Sequence, residues 1–194
     1  MMKPADIEAR FETLATLVRA SGSALAPEVD RAARLLIDAF EAGRRVFAAG
    51  NGGSAADAQH FTAELVGRFR APARRPLAAI ALTTDTSAIT SIANDSGYDH
   101  VFERQLEALA SPGDVFIAIS TSGRSPNIVR AAEAARRLRC AVVALTGAGE
   151  NPVAALANVA LVVPSLEVPR IQEVHGLVLH TITEIIDDYF GGAQ

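Results

Sequence analysis

Val46-Phe47-Ala48-Ala49-Gly50-Asn51-Gly52-Gly53-Ser54 is the stretch that decides the fold. Four apolar residues with no polar alternation read as a strand buried on both faces. The glycines that follow mark a sharp turn, and the segment Ala55–Val66 behind them reads as a helix. Buried strand, turn and helix in immediate succession are the building unit of an α/β protein. The pattern recurs downstream. Leu77–Leu82, Val115–Ile119, Ala141–Leu145 and Val159–Val163 are short apolar runs, with helical segments around Val101–Leu109, Asn127–Leu138, Pro152–Leu156 and Ile171–Tyr189. The expected fold class is therefore α/β, a doubly wound five-stranded parallel sheet flanked by helices. Upstream, Ile7–Val18 carries Ile7, Phe11, Leu14 and Val18 at helical spacing, and a second segment starting near Pro27 carries Val29, Ala33, Leu36 and Phe40. These two helices form an N-terminal lead-in over residues 1–43, used in packing or oligomerisation. With 194 residues and no internal repeat or linker, the chain reads as a single domain, residues 1–194.

Composition removes several function classes. A net charge of -4, with Arg74-Arg75 as the densest basic run outside helices, offers no stripe for a nucleic-acid backbone. Cys140, the single cysteine, excludes an internal disulfide and a thiolate metal cluster and suits a reducing compartment. No apolar run approaches the ~20 residues that span a bilayer, and nothing near Met1 combines a basic head with an apolar run, so a cytoplasmic protein without membrane partners is expected. Lys3 is the sole lysine and lies at the N-terminus. Schiff-base chemistry and a P-loop lysine have no candidate.

Right-handed crossovers would put every strand C-terminus on one edge, where ligands of such folds bind. Two loops there suit an anion. Gly50–Ser54 opens a helix, whose N-terminal N–H groups and dipole favour negative charge. Ser120-Thr121-Ser122-Gly123-Arg124-Ser125 repeats the arrangement with four hydroxyls, and Pro126 falls at the first helical position. Ordinary turn and N-cap chemistry is the alternative for both loops. The first loop matches neither the dinucleotide fingerprint nor a P-loop, which leaves a phosphate on a small molecule.

On the helix after Ser54, Asp57, His60 and Glu64 are three and four residues apart and share one face. On the last helix, Gln172 and His180 lie two turns apart with Gly176 between them. If the two faces meet, two imidazoles, a carboxylate and an amide oxygen converge. That set can hold a divalent metal such as zinc, or perform acid–base work. His60 and Glu64 taken alone could equally be a solvated i, i+4 pair contributing about 0.2–0.5 kcal/mol. His100 reads as part of a helix start, and His175 as packing, interface or ligand.

Together, Gly50–Ser54 running into Ala58-Gln59-His60 and Glu64, then Ala93-Asn94-Asp95, Ile119–Ser125, and Arg170-Ile171-Gln172-Glu173 to His180 closely resemble the phosphoheptose isomerases of the sugar isomerase (SIS) fold group. The resemblance runs in order over nearly the whole chain. It implies isomerisation of sedoheptulose 7-phosphate to D-glycero-D-manno-heptose 7-phosphate, the first step towards activated heptose for surface polysaccharide such as lipopolysaccharide. It also implies one zinc per subunit and a homotetramer with sites at subunit interfaces. By position, Ser54, Ser120, Thr121, Ser122 and Ser125 match the family's phosphate and sugar contacts, and Asn51, Gly52, Gly53, Asp57, Asn94 and Asp95 its sugar-lining residues. The zinc ligands fall on His60, Glu64, Gln172 and His180; Glu64 and His180 also hold the acid–base positions, and Glu64 and Gln172 border the substrate. Gly176 departs from the larger apolar residue expected there. The competing reading is a non-catalytic SIS-type protein that binds a sugar phosphate or the bacterial replication initiator. Such a binder needs the phosphate loops but not the base and acid on the helix faces.

Overall fold

The computed structural model describes residues 2–192. Its strands β1 (Val46–Ala49), β2 (Ala79–Ala81), β3 (Val115–Ser120), β4 (Ala141–Gly147) and β5 (Val159–Val163) form one parallel sheet in the order β2-β1-β3-β4-β5. Each expected strand is present, with β2 shorter than the apolar run that encodes it. Leu77 and Leu82 flank it and are buried without extending it. The strand order reverses between β1 and β3, the point at which doubly wound sheets open a crevice beyond their C-terminal ends. Both glycine- and hydroxyl-rich loops, Gly50–Ser54 and Ser120–Ser125, leave the sheet there.

Alternate residues of the central strands β1, β3 and β4 serve two cores, while the edge strands β2 and β5 contribute to one. Val46, Ala48, Val115 and Ile117 pack with Leu36, Phe40, Phe61, Leu65 and Ile182 from helices α1 (Pro4–Glu41), α2 (Gly53–Val66) and α7 (Val168–Gly191). Phe47, Ala49, Phe116 and Ala118 pack on the opposite face with Phe102, Leu106, Ile128 and Val153. These belong to the segment before and within α4 (Glu103–Leu109), to α5 (Pro126–Arg137) and to α6 (Pro152–Leu156). Helices α2 and α7 thus share one side of the sheet, so their polar faces can meet.

Two features depart from the sequence reading. The lead-in is one helix of 38 residues, not two, with Pro27 inside it. Proline removes one helical hydrogen bond, but Pro27 and Ser23, whose carbonyl loses its partner, are both solvent-exposed, so water can satisfy the freed group. In addition, Thr86–Ser96 is a helix, α3, where no helix was expected. It buries none of its residues and begins on Asp85, whose side chain accepts a hydrogen bond from the Ala88 amide. His100 ends a 3-10 turn, Tyr98–His100, just before α4, which agrees with its reading as a helix start.

Candidate active site

The α2–α7 seam brings three titratable side chains together. Glu64 Oε1 lies 2.9 Å from His60 Nε2 and 3.5 Å from His180 Nε2, and the two imidazole nitrogens are 3.4 Å apart. Glu64 is only 11% exposed while His60 is 60% exposed, so the carboxylate of the pair is sunk into the seam and the imidazole faces solvent. Its second oxygen, Oε2, is buried and has no hydrogen-bond partner. Asp57, Phe61, Gly176 and Leu179 complete the walls of a small cleft around these groups. Asp57 Oδ2 is likewise buried and unpartnered. Burial pushes the Asp57 carboxyl above its ordinary value, and the neighbouring His60 opposes this only in part.

The donor set suits zinc. Ligands held at the usual ~2.0–2.1 Å in a tetrahedron stand about 3.3 Å from one another, and the three donor atoms already lie 2.9, 3.4 and 3.5 Å apart. An orphaned carboxylate oxygen beside two imidazoles also leaves negative charge without a counter-charge, which a cation would supply. Gln172 is placed differently from these three. It is not in the cleft lining, and its amide lies over the start of α2, so that a Cβ on Gly53 would come within 2.5 Å of Nε2. A side chain at Gly53 would displace the Gln172 amide, and Gly52 is required by a backbone φ of +55°.

At the sheet edge the loops are tied to one another. Asn51 and Asn127 exchange reciprocal amide hydrogen bonds of 2.9 Å, which join the β1 loop to the first turn of α5 across the switch point. The Tyr98 hydroxyl donates to Asn51 Oδ1 at 3.3 Å. Ser125 precedes α5, yet its hydroxyl makes no cap; it lies 3.0 Å from the Ser120 hydroxyl instead. Simple capping therefore does not explain it. Thr121 and Ser122 stand at the mouth of an adjoining cavity of about 290 Å³, and Ser54 is buried in the first turn of α2. Asn94 and Asp95 are exposed on α3, where the Asn94 amide donates to Asp95 at 2.8 Å.

Sequence reasoning missed three neighbours. Phe69 stacks on the His180 ring, with centroids 5.7 Å apart and planes within 16°. Asn127, a polar residue at a buried helix start, pairs with Asn51. Arg74, read only as part of the densest basic run outside helices, is buried. His175 is a core residue whose Nε2 bonds the Thr146 carbonyl at 3.2 Å. Burial pushes its pKa down to about 4, against the pull of that bond, so the ring is neutral and takes no part in the cleft.

The SIS domain family model matches residues 11–147. A phosphoheptose isomerase of Aliarcobacter butzleri is 49% identical over 180 residues, 93% of each chain. The chain belongs to the phosphoheptose isomerases. Among solved structures, the phosphoheptose isomerase from Francisella tularensis superposes with a TM-score of 0.93 at 37% identity, covering 97% of this chain and 100% of that one. The enzyme from Neisseria gonorrhoeae gives 0.88 at 42% identity, covering 94% and 97%. Such likeness extends over the lead-in helix and the α2–α7 seam as well as the sheet, so the phosphoheptose isomerase fold accounts for the whole chain and not only for its phosphate loops.

Proposed function

We propose that the protein converts sedoheptulose 7-phosphate to D-glycero-D-manno-heptose 7-phosphate through an enediol, the first step of activated heptose biosynthesis. The observation that carries this reading is Glu64, one oxygen between two imidazoles and the other buried and free. A sugar-phosphate binder has no use for that arrangement.

The phosphate would rest on Ser54, Ser120, Thr121, Ser122 and Ser125, where the N-termini of α2 and α5 favour an anion. Asn51, Gly52, Gly53, Asp57, Asn94 and Asp95 would line the sugar. Six residues of α2 separate Ser54 from His60, a rise of about 9 Å. An extended seven-carbon chain with its terminal phosphate ester spans about 10 Å, from C–C bonds near 1.5 Å, so anchoring the phosphate at the loops brings C1 and C2 to the cleft. There Glu64 would take the carbon-bound proton and His180 would move protons on the two oxygens. Glu64 has two carboxylate oxygens, Oε1 facing the imidazoles and Oε2 buried without a hydrogen-bond partner, so ligation and proton transfer need not fall on one atom. Zinc held by His60, Glu64, His180 and Gln172, one per subunit, would polarise the carbonyl and hydroxyl during the transfer.

A homotetramer with sites at subunit interfaces is part of the proposal. The first turns of α1 are solvent-exposed, with Phe11 at 70%, and an apolar cavity of about 280 Å³ lined by Val18, Leu25, Val29, Val174 and Val178 lies between α1 and α7. Both suit burial against further copies of the chain. No helix among the described residues is long and apolar enough to cross a membrane, and the buried free thiol of Cys140 suits the reducing cytoplasm in which we place the enzyme.

The test is to incubate purified protein with sedoheptulose 7-phosphate, with and without a chelator, and to look for an aldose product. Metal-dependent conversion is expected; no product under any metal condition would favour the binding module.

A further inference from the structure

Between the C-terminal ends of α2 and α7 lies an ion pair that the proposed chemistry does not use. The side chain of Arg74 is 0% exposed and that of Asp187 2%. Arg74 Nε donates to Asp187 Oδ1. Its NH1 donates to the Leu65 carbonyl at 2.9 Å and to the Arg75 carbonyl at 2.7 Å, and its NH2 donates to the Glu64 carbonyl at 2.6 Å. Asp187 Oδ2 accepts from the Arg70 and Ala71 amides at 2.6 and 2.8 Å. One guanidinium thus holds the last turn of α2, and one carboxylate on α7 holds both the guanidinium and the loop between α2 and β2.

Burying two charges costs several kcal/mol per ion, and well-packed apolar residues of similar volume often stabilise a fold as well or better. What a directional pair can supply in addition is a fixed geometry. Here the geometry concerns the cleft. The Glu64 carbonyl is gripped by Arg74, Asp187 lies two helical turns beyond His180 on α7, and the loop clamped between them carries Phe69, whose ring stacks on His180.

We infer that Arg74 and Asp187, with the Phe69 that their loop presents, are positioning residues. They hold α2 and α7 in the register that puts Glu64 Oε1 between the imidazoles of His60 and His180. The inference rests on the reading of this cleft as a metal and acid–base site. A purely structural ion pair would affect stability alone, whereas a positioning pair also sets metal affinity and turnover. The phosphate loops should be indifferent to it, because they are joined to each other by Asn51 and Asn127 and leave the sheet at β1 and β3.

The experiment uses the full chain with Asp187→Asn and Arg74→Lys, which keep volume and some hydrogen bonding, and Phe69→Leu, which leaves the buried pair intact. Zn²⁺ affinity is measured by chelator competition on metal-stripped protein, alongside kcat, KM, thermal midpoint and circular dichroism. Affinity and kcat are each expected to fall about tenfold or more, the scale seen when residues behind metal ligands are altered, with KM within about twofold. Folded variants with wild-type Zn²⁺ affinity and kcat would overturn the inference, however much their midpoints fell. Should Asp187→Asn and Arg74→Lys fail to fold, unchanged values in Phe69→Leu would overturn it alone. A wild-type chain that neither binds Zn²⁺ nor turns over the sugar phosphate would remove the underlying reading together with the inference.

Discussion

Glu64 has few physical reasons to stand where it does for the sake of the fold. It is nearly buried, shares one oxygen with two imidazoles and leaves the other without a partner. Asp57, seven residues earlier on α2, adds a second carboxylate with a buried, orphaned oxygen. Such groups cost stability and are kept where chemistry needs them. For Asp57 the sign follows from its raised pKa, which burial causes and His60 partly offsets. The folded state disfavours the charged form, so the penalty is full above the folded pKa and disappears below the unfolded one. In metal-stripped protein, Asp57→Asn should therefore raise the denaturation midpoint at pH 7, with a gain that shrinks as pH falls towards 4, while the isomerase activity of the metal-loaded variant is below that of the metal-loaded wild type. A midpoint unchanged or lowered at pH 7 would contradict this. The spacing of Asp57, His60 and Glu64 was legible in the sequence; the burial of the Glu64 carboxylate was not, because the α7 side of the cleft, with Leu179 and His180, comes from elsewhere in the chain.

At the scale of elements, the readable ones are those whose residues are buried on a regular period. The strands β1, β3 and β4 are apolar runs that helices cover on both faces, β5 is an apolar edge run buried on one face, and α5 and α7 show helical apolar spacing. Helix α3 escaped because Thr86–Ser96 is rich in Ser, Thr and Asn and buries no residue fully, with only Ile89, Ile92 and Ala93 leaning on the core. Its signals were the Asp85 cap and that short i, i+3, i+4 stripe. Pro27 falsely divided α1 because proline's cost depends on whether water reaches the freed carbonyl, which sequence does not state. Helix α5 ends in a Schellman motif: the Cys140 amide bonds the Ala135 carbonyl and the Arg139 amide that of Arg136. Arg139 occupies the left-handed position with φ 60°, where glycine is the usual residue. Arg139→Gly should stabilise the protein by about 1 kcal/mol, since a non-glycine residue costs roughly 1–2 kcal/mol in that region and glycine gives part of this back in chain entropy. Urea denaturation checks it, and a destabilised variant would mean that the Arg139 side chain contributes more than its backbone strain costs.

Across the whole molecule, one topological fact organises the rest. The order β2-β1-β3-β4-β5 opens the crevice at β1 and β3 and sends α2 and α7 to the same face. The loops were recognisable as anion sites because small and hydroxylic residues sit between a strand and a helix. The meeting of His60 and Glu64 with His180, 116 residues apart at the nearer pair, depends on that crossover pattern and became visible only with the fold. Gln172, over Gly53 rather than in the cleft lining, is the proposed ligand with the furthest to move. Assembly is the other property at this scale. Phe11→Glu, on the exposed stripe of α1, should shift the solution mass from a tetramer towards the 20.3 kDa chain in light scattering, with activity lost in parallel if sites lie at interfaces. A wild-type chain already monomeric would refute that part of the proposal.

If Glu64 is the base of an enediol isomerisation, it must exchange the carbon-bound proton with solvent. The measurement is to incubate sedoheptulose 7-phosphate in deuterated water with wild-type protein and with Glu64→Gln and to follow deuterium at C1 and C2. Enzyme-dependent incorporation is expected in the wild type, with a loss of about 10²–10⁴-fold in the variant, the usual scale for a general base. Incorporation by Glu64→Gln at the wild-type rate would contradict that role.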